Sequence, residues 1–297
     1  MTSTTRAPLV TVGVPVYNGA EYLAEAVDSL RSQTLDDFEL LIADNASTDD
    51  TPAICRRLAA EDARIRVIRH ERNIGAPRNW NCLVAEARGR YFKWASCNDV
   101  CAPTMLERYV AVLESDPSQV AVYGRTQLTS ADGRPIEVYA GDLDVQMARP
   151  SDRFVDVCTR LRLNNVQSAL VRTASLRRTG LDRLYPSGDM VLTAELALYG
   201  CIRLLPEVML YRRHSENTFT SMKTPLQIQR MYDPQATQPM YLQCGRRHLD
   251  SIASIWRAPI GLRERLRATA MSLRMLMRDR GHVMREMRAA LGQSHAS

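Results

Sequence analysis

The residues of this 297-residue chain best suited to chemistry fall in four short clusters, each following a β-branched or aromatic run. Pro15-Val16-Tyr17-Asn18-Gly19 follows the first run and Asp44-Asn45-Ala46-Ser47-Thr48-Asp49-Asp50 the second; Glu71 to Asn79 follows the third and Ser96-Cys97-Asn98-Asp99-Val100 the fourth. Ligands of open α/β sheets sit beyond the carboxyl ends of the strands. Four polar, turn-forming clusters at four successive strand ends therefore describe one polar cleft. No G-x-G-x-x-G follows the first strand, and neither a G-x-x-x-x-G-K-[ST] loop nor a G-x-S-x-G elbow occurs. Dinucleotide binding, P-loop chemistry and serine hydrolysis are thereby disfavoured. Cys55, Cys82, Cys97, Cys101, Cys158, Cys201 and Cys244 lack CxxC spacing and read as reduced, mostly buried thiols. Cys97 and Cys101, four apart, would share a helix face, but without histidine partners they make a poor zinc site.

The elements that must position these clusters alternate. Strand-like runs cover residues 9–16, 38–43, 65–69, 91–95 and 119–123. Between them Leu23, Val27 and Leu30 repeat at helical spacing behind Asn18 as an N-cap, Ile54 and Leu58 mark a second helix, and Pro103 opens a third with Leu106, Val110 and Leu113. This is the pattern of an α/β, doubly wound, mostly parallel sheet flanked by helices. Residues 126–200 are less regular, with a turn at Asp132-Gly133, a polar loop over 141–150 and a helix over 191–199. A segment with Pro225, Pro234 and Pro239 then leads into a mostly helical end, where Gly281 favours two helices over one. With 45% hydrophobic and 24% charged residues the chain is ordinary for a globular protein. No apolar run approaches a membrane span of roughly 20 residues, and MTSTTRAP lacks a signal-peptide core, so a cytoplasmic location is expected. The formal charge of +6 is concentrated between Arg257 and Leu291, where nine arginines meet only Glu264, Asp279 and Glu286. A neutral body with a basic tail argues against a nucleic-acid partner and for an enzyme with a surface-docking segment.

The order PVYN, ADNASTDDT, RNIGAPRN and YFKWASCND resembles the inverting family 2 glycosyltransferases of the GT-A fold. The likeness is close over residues 8–125 and looser to about 220, through YPSGDMVLTAELALYG and PEVMLYRRH. It implies a GT-A domain over 1–222, with a nucleotide-sugar-binding half (1–125) and an acceptor-side half (126–222), followed by a mainly helical region over 223–297. It further implies metal-dependent transfer of a sugar from a nucleotide donor, UDP being the commonest in the family, with dTDP and GDP fitting the same loops. The acceptor would be a hydroxyl of a glycan, a lipid-linked or a small molecule, in bacterial polysaccharide or glycoconjugate biosynthesis. By the same resemblance Asp189 is the catalytic base. Asp99 is the ligand of Mn²⁺ or Mg²⁺, with His214 as a second metal candidate. Cys97-Asn98 stands where acids are commoner, which implies weaker metal affinity. Asp44 accepts from the nucleobase, Tyr17 flanks the base beside Pro15, and Arg72 and Arg78 face the diphosphate. Asn18, Asn45 and Asn98 complete the donor set. Each has a plainer use: an Asx-turn for Asp44, an N-cap for Asp99 and Asp189, solvated positions for the arginines, and caps or turns for Asn18, Asn45 and Asn79. Gly188 replaces the acid of a Glu-Asp pair, and Glu195 stands where some relatives carry Arg, which bears on the acceptor side. Trp80 and Trp94 read as core residues that pack and do not touch sugar.

Leu262, Leu266, Leu273, Met277, Met284, Met287 and Leu291 approximate an apolar stripe among the arginines of 257–291. Such a helix suits an anionic lipid surface at the inner face of the membrane, or packs on the body or on a second subunit of a homo-oligomer. Two other readings remain: a nucleotide-binding GT-A protein without turnover, motivated by Cys97-Asn98, and a basic module acting through its tail. The coincidence of Asp44, Asp99 and Asp189 favours the transferase.

Overall fold

The computed structural model describes residues 6–214, 224–238, 240 and 242–293. Strands β1 (Val10–Val16), β2 (Phe38–Asp44), β3 (Ile65–Arg69) and β4 (Tyr91–Trp94) lie parallel in the order β3-β2-β1-β4, joined through α1 (Leu23–Arg31), α2 (Thr51–Glu61) and α3 (Ala76–Glu86). Every residue of β1, β2 and β4 is buried, as in a parallel sheet covered on both faces. Val16 pairs with Asp44 and Asp44 with Arg69, so the polar clusters emerge along one edge.

The second half is mixed. Beyond β5 (Val100–Cys101) and α4 (Met105–Ser115), β6 (Gln119–Thr129) carries an exposed hairpin arm, β7 (Pro135–Val138). After α5 (Pro150–Arg160) comes β8 (Leu170–Arg172), which inserts antiparallel between β4 and β6. Then α6 (Thr173–Leu176) and α7 (Gly188–Tyr199) lead to β9 (Cys201–Arg213), parallel to β6 and antiparallel to β5. The sheet runs β3-β2-β1-β4-β8-β6-β9-β5.

Several local expectations give way. β6 is longer than residues 119–123, and β9 extends through the whole 201–213 stretch; their pairing is broken by bulges near Gly124 and Arg125, which blur the alternation that marks a strand in sequence. Pro150 opens a helix from its first turn and does not end a loop. The residue before α1 is Tyr22, with no side-chain cap, and Asn18 instead adopts a left-handed φ of 49°. Cys97 lies in a loop and Cys101 in β5, so they share no helix face. Gly281 does not divide the last helix: an exposed helical glycine costs only about 1 kcal/mol relative to alanine, which the rest of a 32-residue helix absorbs. All seven cysteines are free thiols, three of them buried.

Three helices follow: α8 (Pro225–Tyr232), opened by a Thr224–Gln227 capping box with Pro225 in its first turn, then α9 (Gln243–Arg257) and α10 (Leu262–Gln293). The expected boundary at 222/223 lies outside the described residues. The helices join the body through the fully buried Glu195 of α7, whose carboxylate pairs with Arg183 at 3.0 Å and Arg257 at 2.7 Å and accepts from Ser254 Oγ at 3.0 Å. Glu195 is therefore an anchor for α9 and faces away from the cleft. Glu264 of α10 accepts from the Ser151 N–H at 3.0 Å, at the start of α5.

The end of α8 sits on the start of α3. Gly75, at φ 87° and ψ 152°, has a conformation open to glycine almost alone, and a Cβ there would strike the Tyr232 carbonyl. Gly75→Ala should destabilise the protein by on the order of 1–3 kcal/mol, read as a lowered thermal midpoint. An unchanged midpoint would show that α8 is not held at this contact.

Candidate functional site

Side-chain bonds between successive strand ends build the cleft. The Asn18 N–H donates to Ser47 Oγ at 2.9 Å, and the Thr48 N–H returns to Asn18 Oδ1 at 2.8 Å. Thr51 Oγ1 accepts from the Gly19 N–H at 2.9 Å. Asn45 staples the next loop: its Nδ2 donates to Asn73 Oδ1 and its Oδ1 accepts from the Ile74 N–H, both at 2.9 Å. Both polar ends of Asn45 are thus spent on loop architecture, although the residue lines the cleft. Such mutual bonding fixes backbone that no regular ladder holds.

The loops enclose a cavity of about 740 Å³, lined among others by Pro15, Tyr17, Asn18, Asn45, Asn98 and Trp80, with Arg230 and Met231 of α8 on the far side. Asp44, almost fully buried, is not itself a lining residue and precedes Asn45, which is. The Asp44 Oδ1 accepts from the Ser47 N–H at 2.9 Å, three residues on, which closes the loop one residue later than the expected Asx-turn. Its Oδ2 is buried without a hydrogen bond and lies 3.4 Å from Arg69 Nε. A buried carboxylate oxygen with an unused acceptor site favours a donor from a ligand. Arg72 and Arg78, expected at the diphosphate, are exposed and do not line the cavity. Arg72 sits in the solvated bend after β3, and Arg78 projects from α3 away from the buried face of Pro77, Asn79, Leu83 and Val84.

A second cavity of about 400 Å³ adjoins the first, with Ala76, Trp80 and Met231 common to both linings. Here lie Asp189, Asp182, Arg162, Arg212 and His214. Asp189 stands in the first turn of α7, and Ser187, not Asp189, occupies the N-cap position. Asn164 Nδ2 donates to Asp189 Oδ2 at 3.0 Å, while Asn164 Oδ1 accepts from Thr193 Oγ1 at 3.1 Å, which orients the amide. Trp80 is not merely a core residue: its ring packs 6.1 Å from that of Trp94 and also walls both cavities.

Asp99 lines neither cavity; it follows Asn98, which lines the first, and is bonded to Arg213, which lines the second. Thr104, not Asp99, precedes α4. The Asp99 Oδ1 accepts from the Arg213 N–H at 3.0 Å. Burial pushes its carboxyl pKa upward, and the Arg213 bond with the nearby Arg212 and Lys93 charges opposes that shift. His214 follows directly and is exposed to the acceptor-side cavity. One carboxylate fits Mg²⁺ or Mn²⁺, which take oxygen ligands and need only one or two from the protein when a diphosphate supplies the rest; His214 follows the Arg213 that holds this carboxylate. Among the described residues one trio could share an ion, Cys244, His248 and Asp279 of α9 and α10. The Arg247 guanidinium already lies 3.7 Å from that Asp279 and 3.8 Å from Cys244 Sγ.

Residues 11–169 match the profile described as glycosyl transferase family 2. The chain belongs to glycosyl transferase family 2. Its curated family 2 relatives include an uncharacterised glycosyltransferase of Rickettsia prowazekii, 33% identical over 39% of this chain and 36% of that protein. The glycosyltransferase GlyG of Streptococcus pneumoniae is 29% identical over 42% of each chain. An uncharacterised Haemophilus influenzae glycosyltransferase is 25% identical over 71% of this chain and 67% of its own. The alignments with the first two span only about two fifths of those relatives' length. Among solved structures, Staphylococcus aureus TarS 1–349 in complex with UDP-GlcNAc superposes with a TM-score of 0.64 at 17% identity, over 89% of this chain and 71% of that one. The complex of the same protein with UDP gives 0.62 at 18% identity, over 89% and 70%. The fold is thus the GT-A type that the motifs imply.

Arg230, Asn164 and Asp182 went unnoticed in the sequence. The first lies in a helix without a motif, and the other two in the irregular middle. Asp182 carries a buried Oδ1 without a hydrogen bond, and burial together with the Asp189 charge pushes its pKa up to about 8. An acid whose pKa is raised on folding holds its proton more tightly in the native state, so stability should fall as pH rises from about 4 to about 8. Asp182→Asn should flatten that slope, read from thermal midpoints at pH 5.5, 7 and 8.5. An identical slope in the variant would show that Asp182 is ordinary.

Proposed function

We propose that this family 2 protein is an inverting, metal-dependent glycosyltransferase that moves a sugar from a UDP-linked donor to an acceptor hydroxyl. The observation that carries this reading is the shared wall of Ala76, Trp80 and Met231 between a cavity lined by Tyr17 and by Asn45, the residue after Asp44, and a cavity holding Asp189. A donor filling the first would present its sugar toward the second.

Asp44 Oδ2 accepts the base imide N–H, while Tyr17, about half exposed, offers its ring as a stacking face. Asn98 and Arg230 hold the donor's phosphate and sugar, Arg230 taking the role first given to Arg72 and Arg78. Asp99, with His214, would hold Mg²⁺ or Mn²⁺, and the ion would supply positive charge to offset that of the departing diphosphate. Asp189, oriented by Asn164, takes the acceptor proton as the acceptor oxygen attacks the anomeric carbon. The bond from that carbon to the diphosphate breaks, and its electron pair leaves with the phosphate oxygen. Attack opposite the leaving group inverts the anomeric centre. UDP is favoured because the TarS structures bind UDP and UDP-GlcNAc. The reading extends to polysaccharide or glycoconjugate synthesis on the cytoplasmic side, and the bacterial relatives named glycosyltransferase support its transferase part.

Thermal unfolding with UDP, dTDP and GDP, each with and without Mn²⁺, tests the donor side. UDP should raise the midpoint most, and Asp44→Ala should abolish that preference; no shift with any nucleotide would refute the reading. Asp189→Asn should keep the UDP shift while donor turnover falls by roughly 10²- to 10⁴-fold. Turnover unaffected by that change would remove Asp189 as the base.

A further inference from the structure

The long helix α10 carries a feature that nucleotide-sugar chemistry does not use. Leu262, Leu266, Leu273, Met277, Met284 and Met287 are each between 42% and 62% exposed. At about 100° per residue all six project within a sector of about 80°, along about 37 Å of helix. The side chain of Leu291 lies outside the described residues. An apolar strip of this length on a soluble surface marks a docking face.

The face turned toward the body is of a different kind. Ala268 and Ser272 are buried, and the acids of α10 are all spent inward. Glu264 accepts from the Ser151 N–H at 3.0 Å, Asp279 meets His248 Nε2 at 3.1 Å, and Glu286 accepts from the Cys244 N–H at 3.1 Å. The outward half carries no acid: besides Ala270 and Gly281 its exposed residues are Leu, Met and arginine, with Arg280 falling inside the apolar sector. Arg263, Arg274, Arg285 and Arg288 form a band beside the apolar strip and pair with no acid among the described residues. Trp256 of α9, 45% exposed, stands at the near end, with the Arg265 guanidinium 5.9 Å from its ring centroid.

We propose that the outward face of α10 docks on an anionic lipid bilayer surface. Leucines and methionines enter the boundary between headgroups and acyl chains, while the arginine band lies at phosphate depth. Charge selects this occupant over a second copy of the chain. Two copies packed through this face would oppose arginine to arginine, with no outward acid on α10 to relieve the repulsion. The inference is independent of the transfer reaction; if both hold, the surface brings the cleft to a membrane-borne acceptor.

Vesicle flotation of the full chain tests the proposal, with phosphatidylcholine alone and with phosphatidylcholine containing about one third phosphatidylglycerol. Wild type should float with the anionic vesicles only, and less so at about 0.5 M salt. Leu273→Glu with Met277→Glu, and separately Arg274→Glu with Arg288→Glu, should each lower partition by roughly tenfold or more. Because these side chains are exposed, circular-dichroism melts of both variants should match wild type and certify folding. Wild type that stays in the aqueous fraction would overturn the proposal, as would partition indifferent to Leu273 and Met277. A dimer in light scattering that the Leu273/Met277 variant dissociates would name a second copy as the occupant and equally overturn it.

Discussion

The Arg213 backbone N–H bonded to Asp99 is the joint on which the two halves of the cleft depend. Asp99 comes from the loop after β4, in the half built of regular βαβ units. Arg213 ends β9, the long strand of the mixed half. The same arginine reaches Asn98 O at 3.3 Å and Glu25 at 2.8 Å, and its guanidinium lies 4.3 Å from the centre of the Tyr22 ring. One residue therefore links α1, the Asp99 loop and the strand that delivers Arg212 and His214. A buried carboxylate held this way keeps its position whether or not an ion is present.

Rigidity elsewhere in the cleft comes from side chains that do no chemistry. Asn18 and Asn45 bind loop to loop, so Tyr17 and Asp44 stand on backbone with little freedom. Asn164 does the same for Asp189. Candidate catalytic groups on strand ends and helix first turns, supported by amides behind them, are the arrangement expected of a preorganised site. In contrast, α8 closes the wall between the cavities from a distant part of the chain, its Tyr232 carbonyl lying close against Gly75.

Buried Glu195 and the inward acids of α10 perform a comparable service for the C-terminal helices. Their charges hold α9 and α10 to α7 and α5, and the inward acids of α10 leave its outer face with an apolar strip and arginines. Stability and surface character thus arise from the same few ion pairs and capping bonds.

The first four strands, their helices and the positions of Asp44 and Asp99 were legible in the amino-acid pattern. Each βαβ unit is local: continuous β-branched runs, helical periods and polar strand ends declare themselves within a few tens of residues. The family resemblance rested on those same local motifs, and with it Asp189 and its proposed role. Contacts distant in sequence were not legible. The antiparallel insertion of β8, the bulged pairing of β6 with β9, and the inward turn of Glu264, Asp279 and Glu286 depend on partners that no local pattern names. Arg72 and Arg78 looked like phosphate ligands because of their neighbours, yet the face of α3 that packs decides which side chains reach the cavity, and it turns Arg78 to solvent. Arg230 and Met231 meet the cleft only because α8 folds back over α3, more than a hundred residues away along the chain. The local pattern determined the frame and the motif acids; long-range packing decided which charges face the ligand, because burial is a property of the assembled surface and not of the segment.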